Sequence, residues 1–209
     1  MQYSDAILNN IATNLTRLQS PAPPSLTLDV GSVEEYLLND ALRPIQDHAW
    51  RIFGSYFIAR GAAARAAYRA ATTSLSVYMN ALPADHHTNV FRDAIERFEQ
   101  CVHHARVAMD LVQHMEAKAG GSKSPNGFVY AVNDGSPEDR LAKLDNRAKH
   151  FAEDILDGMV SHPTPIWIED AGLVCSKAAL SYVELAQLLE EIGENLTFIA
   201  RGAFSIATP

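Results

Sequence analysis

The stretch VFRDAIERFEQCVHHARVAMDLV, residues 90–112, carries Phe91, Ile95, Phe98, Val102, Ala105, Met109 and Val112 at alternating steps of four and three. On a helix that spacing keeps one continuous apolar line, the seam by which a long helix lies along a partner helix. Upstream, helical periodicity runs from Arg43 to Leu82, about 60 Å if unbroken at about 1.5 Å per residue, and Pro44 suits its first turn. The middle of this segment, GAAARAAYRAA (residues 61–71), predicts close helix packing, because small side chains let a neighbouring backbone approach while Arg60, Arg65 and Arg69 point elsewhere. An RNA-binding arginine stripe is the sharper alternative there.

Downstream, Ser136-Pro137-Glu138-Asp139 supplies an N-cap serine, a first-turn proline and acids at a helix start. The helix it opens is predicted to run to Met159, with Pro163 and Pro165 beyond. Residues 166–175, IWIEDAGLVC, form a hairpin candidate of two very short extended segments about a turn. Ser181-Tyr182-Val183-Glu184 is a capping box that starts a last helix, with Gly202 as its stop signal. A second capping box, Ser32-Val33-Glu34-Glu35, starts a short helix reaching about Leu42. Residues 119–136 form a long loop. The pattern predicts an all-α, up-down helical bundle of about four main helices, with short accessory helices and a small β-hairpin near 166–175. The Pro-rich SPAPPSLTLDVG (residues 20–31) divides the chain into an N-terminal helical arm and linker, residues 1–30, and a bundle domain, residues 31–209.

Composition narrows the function classes. The chain has 209 residues, 47% hydrophobic and 20% charged, with a formal net charge of −8, enough for one real core. The negative balance disfavours broad attraction to nucleic acid but leaves room for a local basic site. The first twenty residues read as a polar amphipathic helix rather than a secretion signal, and no run of about 18 apolar residues suggests a membrane span. Cys101 and Cys175, each among apolar neighbours, fit buried reduced thiols. A cytoplasmic protein with no membrane association is expected.

Eight histidines invite a metal reading. Glu-x-x-His pairs, His-x-x-x-His and His-Glu-x-x-His are all absent, however, so no metal and no cofactor is expected. The loop GGSKSPNG (residues 120–127) lacks the Gly-Lys-Ser/Thr of a phosphate-binding loop. The helix LDNRAKHFAEDI (residues 144–155) holds the densest candidate chemistry. With Leu141 at the origin of a helical wheel, Leu144, Ala148, Phe151, Ile155 and Met159 form the core stripe. Lys143, Arg147, His150 and Asp154 form a ridge on the opposite side, flanked by Asn146. Such a ridge can hold a phosphate through the arginine fork and transfer a proton through histidine. Charged residues opposite a core stripe are also what any solvated helix face carries.

The order of Ile95-Glu96-Arg97-Phe98-Glu99-Gln100-Cys101, then NRAKHFAEDI, PIWIEDAGL and SYVELAQLLEEI, resembles bacterial proteins of the HEPN-like superfamily over roughly residues 43 to 195. The resemblance implies a homodimeric helical bundle acting as a metal-independent RNA endonuclease of toxin or phage-defence type, or a degenerate relative. It also implies RNA and a cognate antitoxin or other protein as partners. Carried onto this chain, it makes His150 the proton-transfer group, Arg147 the phosphate-binding group and Asn146 the substrate-orienting group. The family places Arg four to six residues before His, whereas Arg147 precedes His150 by three. Arg43 with His48 and Arg97 with His103 satisfy the spacing, although with twelve arginines in the chain such matches also arise by chance. The alternative is a non-catalytic dimeric helical protein-interaction module.

Overall fold

The computed structural model describes residues 18–28, 48–81, 88–119, 121, 133–160 and 162–200. Among them run helices α1 (His48–Asn80), α2 (Thr88–Ala119), α3 (Pro137–Lys149) and α4 (Phe151–Leu156), strands β1 (Trp167–Ile168), β2 (Gly172–Val174) and β3 (Ala179–Ser181), and helix α5 (Tyr182–Ala200). The fold is mainly α with one small antiparallel sheet. The Ser32 capping box, the short helix after it, Arg43, Pro44, most of the loop at 119–136 and Gly202 lie outside the described residues.

The seam on α2 is buried from Phe91 through Met109, and Val112 packs half-buried at its end. Its partner is α1. Side-chain pairings run in reverse order along the two helices, Tyr78 with Phe91, Ser74 with Asp93, Tyr68 with Phe98, Arg60 with His104 and Phe53 with His114. The two helices, 33 and 32 residues long, therefore form an antiparallel hairpin. The alanine-rich middle of α1 takes α5 against it: a Cβ on Gly61 would lie 2.8 Å from Ile192 Cγ2 and 3.2 Å from Leu196 Cδ1. Close packing is thus the right account of this stretch, with one correction. Arg65 does not point away but is 1% exposed, and its charge is met by Leu189 O at 2.6 Å, Glu190 Oε2 at 3.1 Å and the carbonyl of Leu28.

Leu28 belongs to the Pro-rich segment, which lies on the bundle as an extended strap over residues 18–28. Tyr68 Oη donates to Pro24 O at 2.7 Å, and Asp170 Oδ1 accepts the backbone N–H groups of Gln19 and Ser20 at 2.8 and 3.0 Å. Glu190 accepts the N–H and hydroxyl of Thr27. Burial alone raises the Glu190 pKa, but the Thr27 and Arg65 donors more than reverse that and hold it below the usual 4.5. A carboxylate depressed in the folded state contributes stability that is present above its unfolded pKa and lost as pH falls through the folded one. Limited proteolysis is therefore expected to leave the strap intact at neutral pH and to cleave it as pH drops well below 4.5, while Glu190→Gln is cleaved across the whole range.

The sheet has the order β1-β2-β3, with Trp167 opposite Val174, Ile168 opposite Leu173, and Leu173 opposite Leu180. The expected hairpin is present, and the third strand runs straight into α5 through the Ser181 capping box. There Glu184 Oε2 accepts the Ser181 N–H at 3.0 Å and Glu184 N–H donates back to Ser181 Oγ at 3.2 Å. Ser136 caps α3 as expected, its hydroxyl accepting from Asp139 N–H at 3.1 Å.

The helix opened by Ser136 does not reach Met159. It stops at Lys149, His150 adopts φ −107° and ψ 18°, and α4 adds only six residues. A close charge pair accompanies the break. Residues seven apart on a continuous helix are separated by about 10.5 Å along its axis, yet Arg147 Nη1 lies 2.6 Å from Asp154 Oδ1. The change of phase also reverses the faces. Leu141 and Leu144 are fully buried, but Ile155 is 54%, Leu156 87% and Met159 42% exposed, and Asp154, expected on the outer ridge, is 1% exposed.

Candidate active site

Helix α3 is anchored by Leu141 and Leu144, so the residue one turn beyond Leu141, Asp145, must face the neighbouring α2. It is 4% exposed. Its Oδ1 lies 3.0 Å from His103 Nδ1, and its Oδ2 takes Lys149 Nζ. On α2, His103 follows Val102 of the buried seam, which sets its ring at the seam's edge with 47% of the side chain exposed. A buried carboxylate thus holds one nitrogen of a half-exposed imidazole. That arrangement favours the tautomer with hydrogen on Nδ1 and leaves Nε2 able to accept a proton.

His103 opens into a groove of about 460 Å³ between α2 and α3, lined also by Glu96, Glu99, Gln100, Asp145 and Lys149 and floored by Ile166. Glu99 and His103 are one turn apart on α2, so their side chains are neighbours. Burial pushes the Glu99 carboxyl up to about 7; the Ile166 N–H bonded to it pulls the other way, and the charge of Glu96 adds to the rise. Near neutral pH this carboxyl is therefore poised between acid and base forms. On the other side of His103, the His104 ring is 5.5 Å away, and its Nδ1 lies 3.2 Å from Arg60 Nη1. The groove thus combines a carboxylate-held histidine, a carboxyl pushed up by burial and an ammonium group, a set suited to acid–base chemistry at an oxygen centre.

On LDNRAKHFAEDI, the described contacts pair Arg147 and His150 with carboxylates. Arg147 is bound to Asp154, whose other oxygen accepts the Ser176 hydroxyl at 3.0 Å. Burial would raise the Asp154 carboxyl, but Ser176 and Arg147 hold it below the usual carboxylate range. His150 stands at the helix break, half exposed, with its Nδ1 3.0 Å from Glu153 Oε2. Asn146 is exposed. Of the spacing matches, Arg97 pairs with Asp93 at 3.5 Å on an open face of α2, about 120° around the helix from His103. His48 contacts Arg51 at 3.4 Å. Among the described residues no group of three or more His, Cys, Asp or Glu could hold a metal ion, and no helix is long and apolar enough to cross a membrane. Cys101 is buried and its thiol pushed up by burial, while Cys175 is half-buried.

Sequence reasoning passed over Asp145 and Glu99. Asp145 stands four residues after Leu141, one turn above a core position, which is the signal for a buried carboxylate. The signal for Glu99 is weaker, since its burial depends on Ile166, which is distant in sequence. Comparison of the chain with protein-family models, curated proteins and solved structures returned no match.

Proposed function

We propose that this chain is a HEPN-like, metal-independent RNA endonuclease that works as a homodimer, with its acid–base chemistry in the α2–α3 groove. The observation that carries the reading is the His103–Asp145 pair opening beside Glu99. His103 Nε2 takes the proton from a ribose 2′-hydroxyl, and the 2′-oxygen attacks the adjacent phosphorus. The P–O5′ bond breaks, and protonated Glu99 delivers its proton to the leaving 5′-oxygen. The products are a 2′,3′-cyclic phosphate and a 5′-hydroxyl. Asp145 keeps the imidazole oriented and stabilises the imidazolium that forms, and Lys149 offsets the charge gathering on the phosphate oxygens.

A second reading, a non-catalytic dimeric interaction module, is favoured by the exposed apolar group Ile155, Leu156 and Met159 that the helix break turns outward. One experiment separates the two. Full-length protein is incubated with single-stranded RNA in the presence of a chelator, and the ends are mapped for wild type, His103→Ala and His150→Ala. Wild type and His150→Ala are expected to produce cyclic-phosphate ends and His103→Ala to lose them. Loss in His150→Ala alone moves the chemistry to the Arg147–His150 segment, and no cleavage by wild type leaves the interaction module.

A further inference from the structure

The arginines of this fold are mostly neutralised. Among the described residues Arg65, Arg92, Arg97, Arg106, Arg140 and Arg147 each pair with a carboxylate. Arg60 does not. Its Nη1 meets the imidazole nitrogen of His104, its guanidinium carbon lies 4.6 Å from the centroid of the Tyr56 ring, and its Nε is buried without a hydrogen-bond partner. A guanidinium has five N–H donors in a planar fork, so one bond to His104 leaves most of them unused by the described residues. Burial first, and then Arg60 and His103, lower the His104 pKa below its ordinary value. An imidazole, unlike a carboxylate, steadies the guanidinium without cancelling its charge.

Position gives that charge a use. His104 lines the groove beside His103, and Arg60 approaches it from α1. An oriented cation therefore adjoins the groove through His104, and the Asp145–Lys149 pair lines the same groove. Stacking on an aromatic ring and a free planar fork are the features by which arginine, rather than lysine, grips a phosphate. We propose that Arg60, stacked on Tyr56 and steadied by His104, seats a phosphate of single-stranded RNA next to the phosphate cleaved in the groove. The inference rests on the RNA-cleavage reading and adds a binding group to it.

The test uses full-length protein and a fluorescein-labelled single-stranded DNA oligonucleotide, which lacks the 2′-hydroxyl and is not cleaved. Arg60→Gln is expected to weaken binding about tenfold and to reduce the slope of log affinity against log salt by about 0.7, one phosphate contact on a single strand. Arg60→Lys keeps the slope and loses only part of the affinity. If Arg60→Gln loses helical content, Tyr56→Leu takes its place, with affinity expected to fall severalfold and the slope retained. Unchanged affinity and slope in Arg60→Gln, unchanged affinity in the Tyr56→Leu substitute, or no binding by wild type, overturns the proposal. If Arg60→Gln loses binding while wild type cleaves no RNA, the phosphate seat stands and the nuclease reading falls; if Arg60→Gln binds normally while His103→Ala alone abolishes cleavage, the reverse holds.

Discussion

Replacing His103 with alanine is expected to lower the rate of RNA cleavage about a thousandfold, in the middle of the range that a positioned proton-transfer group contributes. The variant should fold, because the side chain is half exposed and its neighbour Asp145 keeps Lys149 as a partner. Glu99 makes the prediction sharper through pH. Its carboxyl, pushed up to about 7 by burial, must carry a proton to protonate the leaving oxygen. Cleavage should therefore fall as pH rises through about 7, and Glu99→Gln should be slow at every pH with that falling limb gone. Single-turnover rates between pH 5 and pH 9 read both effects. A thousandfold loss without the change in pH profile would leave His103 in place but remove Glu99 from the mechanism.

The second large effect concerns stability, at Gly172. A Cβ there would lie 2.2 Å from Leu180 O and 2.6 Å from Ser181 Cα, both backbone atoms of the neighbouring strand that cannot rotate aside. Gly172→Ala must therefore separate β2 from β3, and β3 leads directly into the capping box of α5. We expect a loss of about 3 kcal/mol, the upper part of the range for overpacking, and a fall in Tm of roughly 10 °C for a domain of this size. Thermal unfolding followed by circular dichroism measures it. A Tm within a degree or two of wild type would mean that the strands yield without cost.

The legible parts of this fold are those governed by neighbours in sequence. The seam from Phe91 to Met109 is a helical period, the Ser136 and Ser181 caps are bonds across three residues, and the hairpin at 166–175 is bounded by its own turn. Each was readable because the interacting groups are close along the chain. The third strand was not, since Ala179-Leu180-Ser181 carries one large apolar residue and pairs as a strand only with β2. The break at His150 was hidden as well: no glycine or proline marks it, and the Arg147–Asp154 contact that accompanies it is completed by Ser176, which lies well downstream.

The amino-acid sequence by itself determined two long helices, one with a seam for a neighbouring helix, the caps that start the later ones, and a chain whose chemistry would have to come from histidine, arginine and carboxylates. Tertiary structure alone decided which of those groups meet. It buried Arg65 against the strap and Glu190, enclosed Asp154, and set Asp145 from one helix against His103 from another, with Glu99 placed under Ile166. The physical reason is that helical periodicity gives the direction of a side chain only relative to its own helix, whereas burial of a charge depends on which distant donor or acceptor arrives to satisfy it.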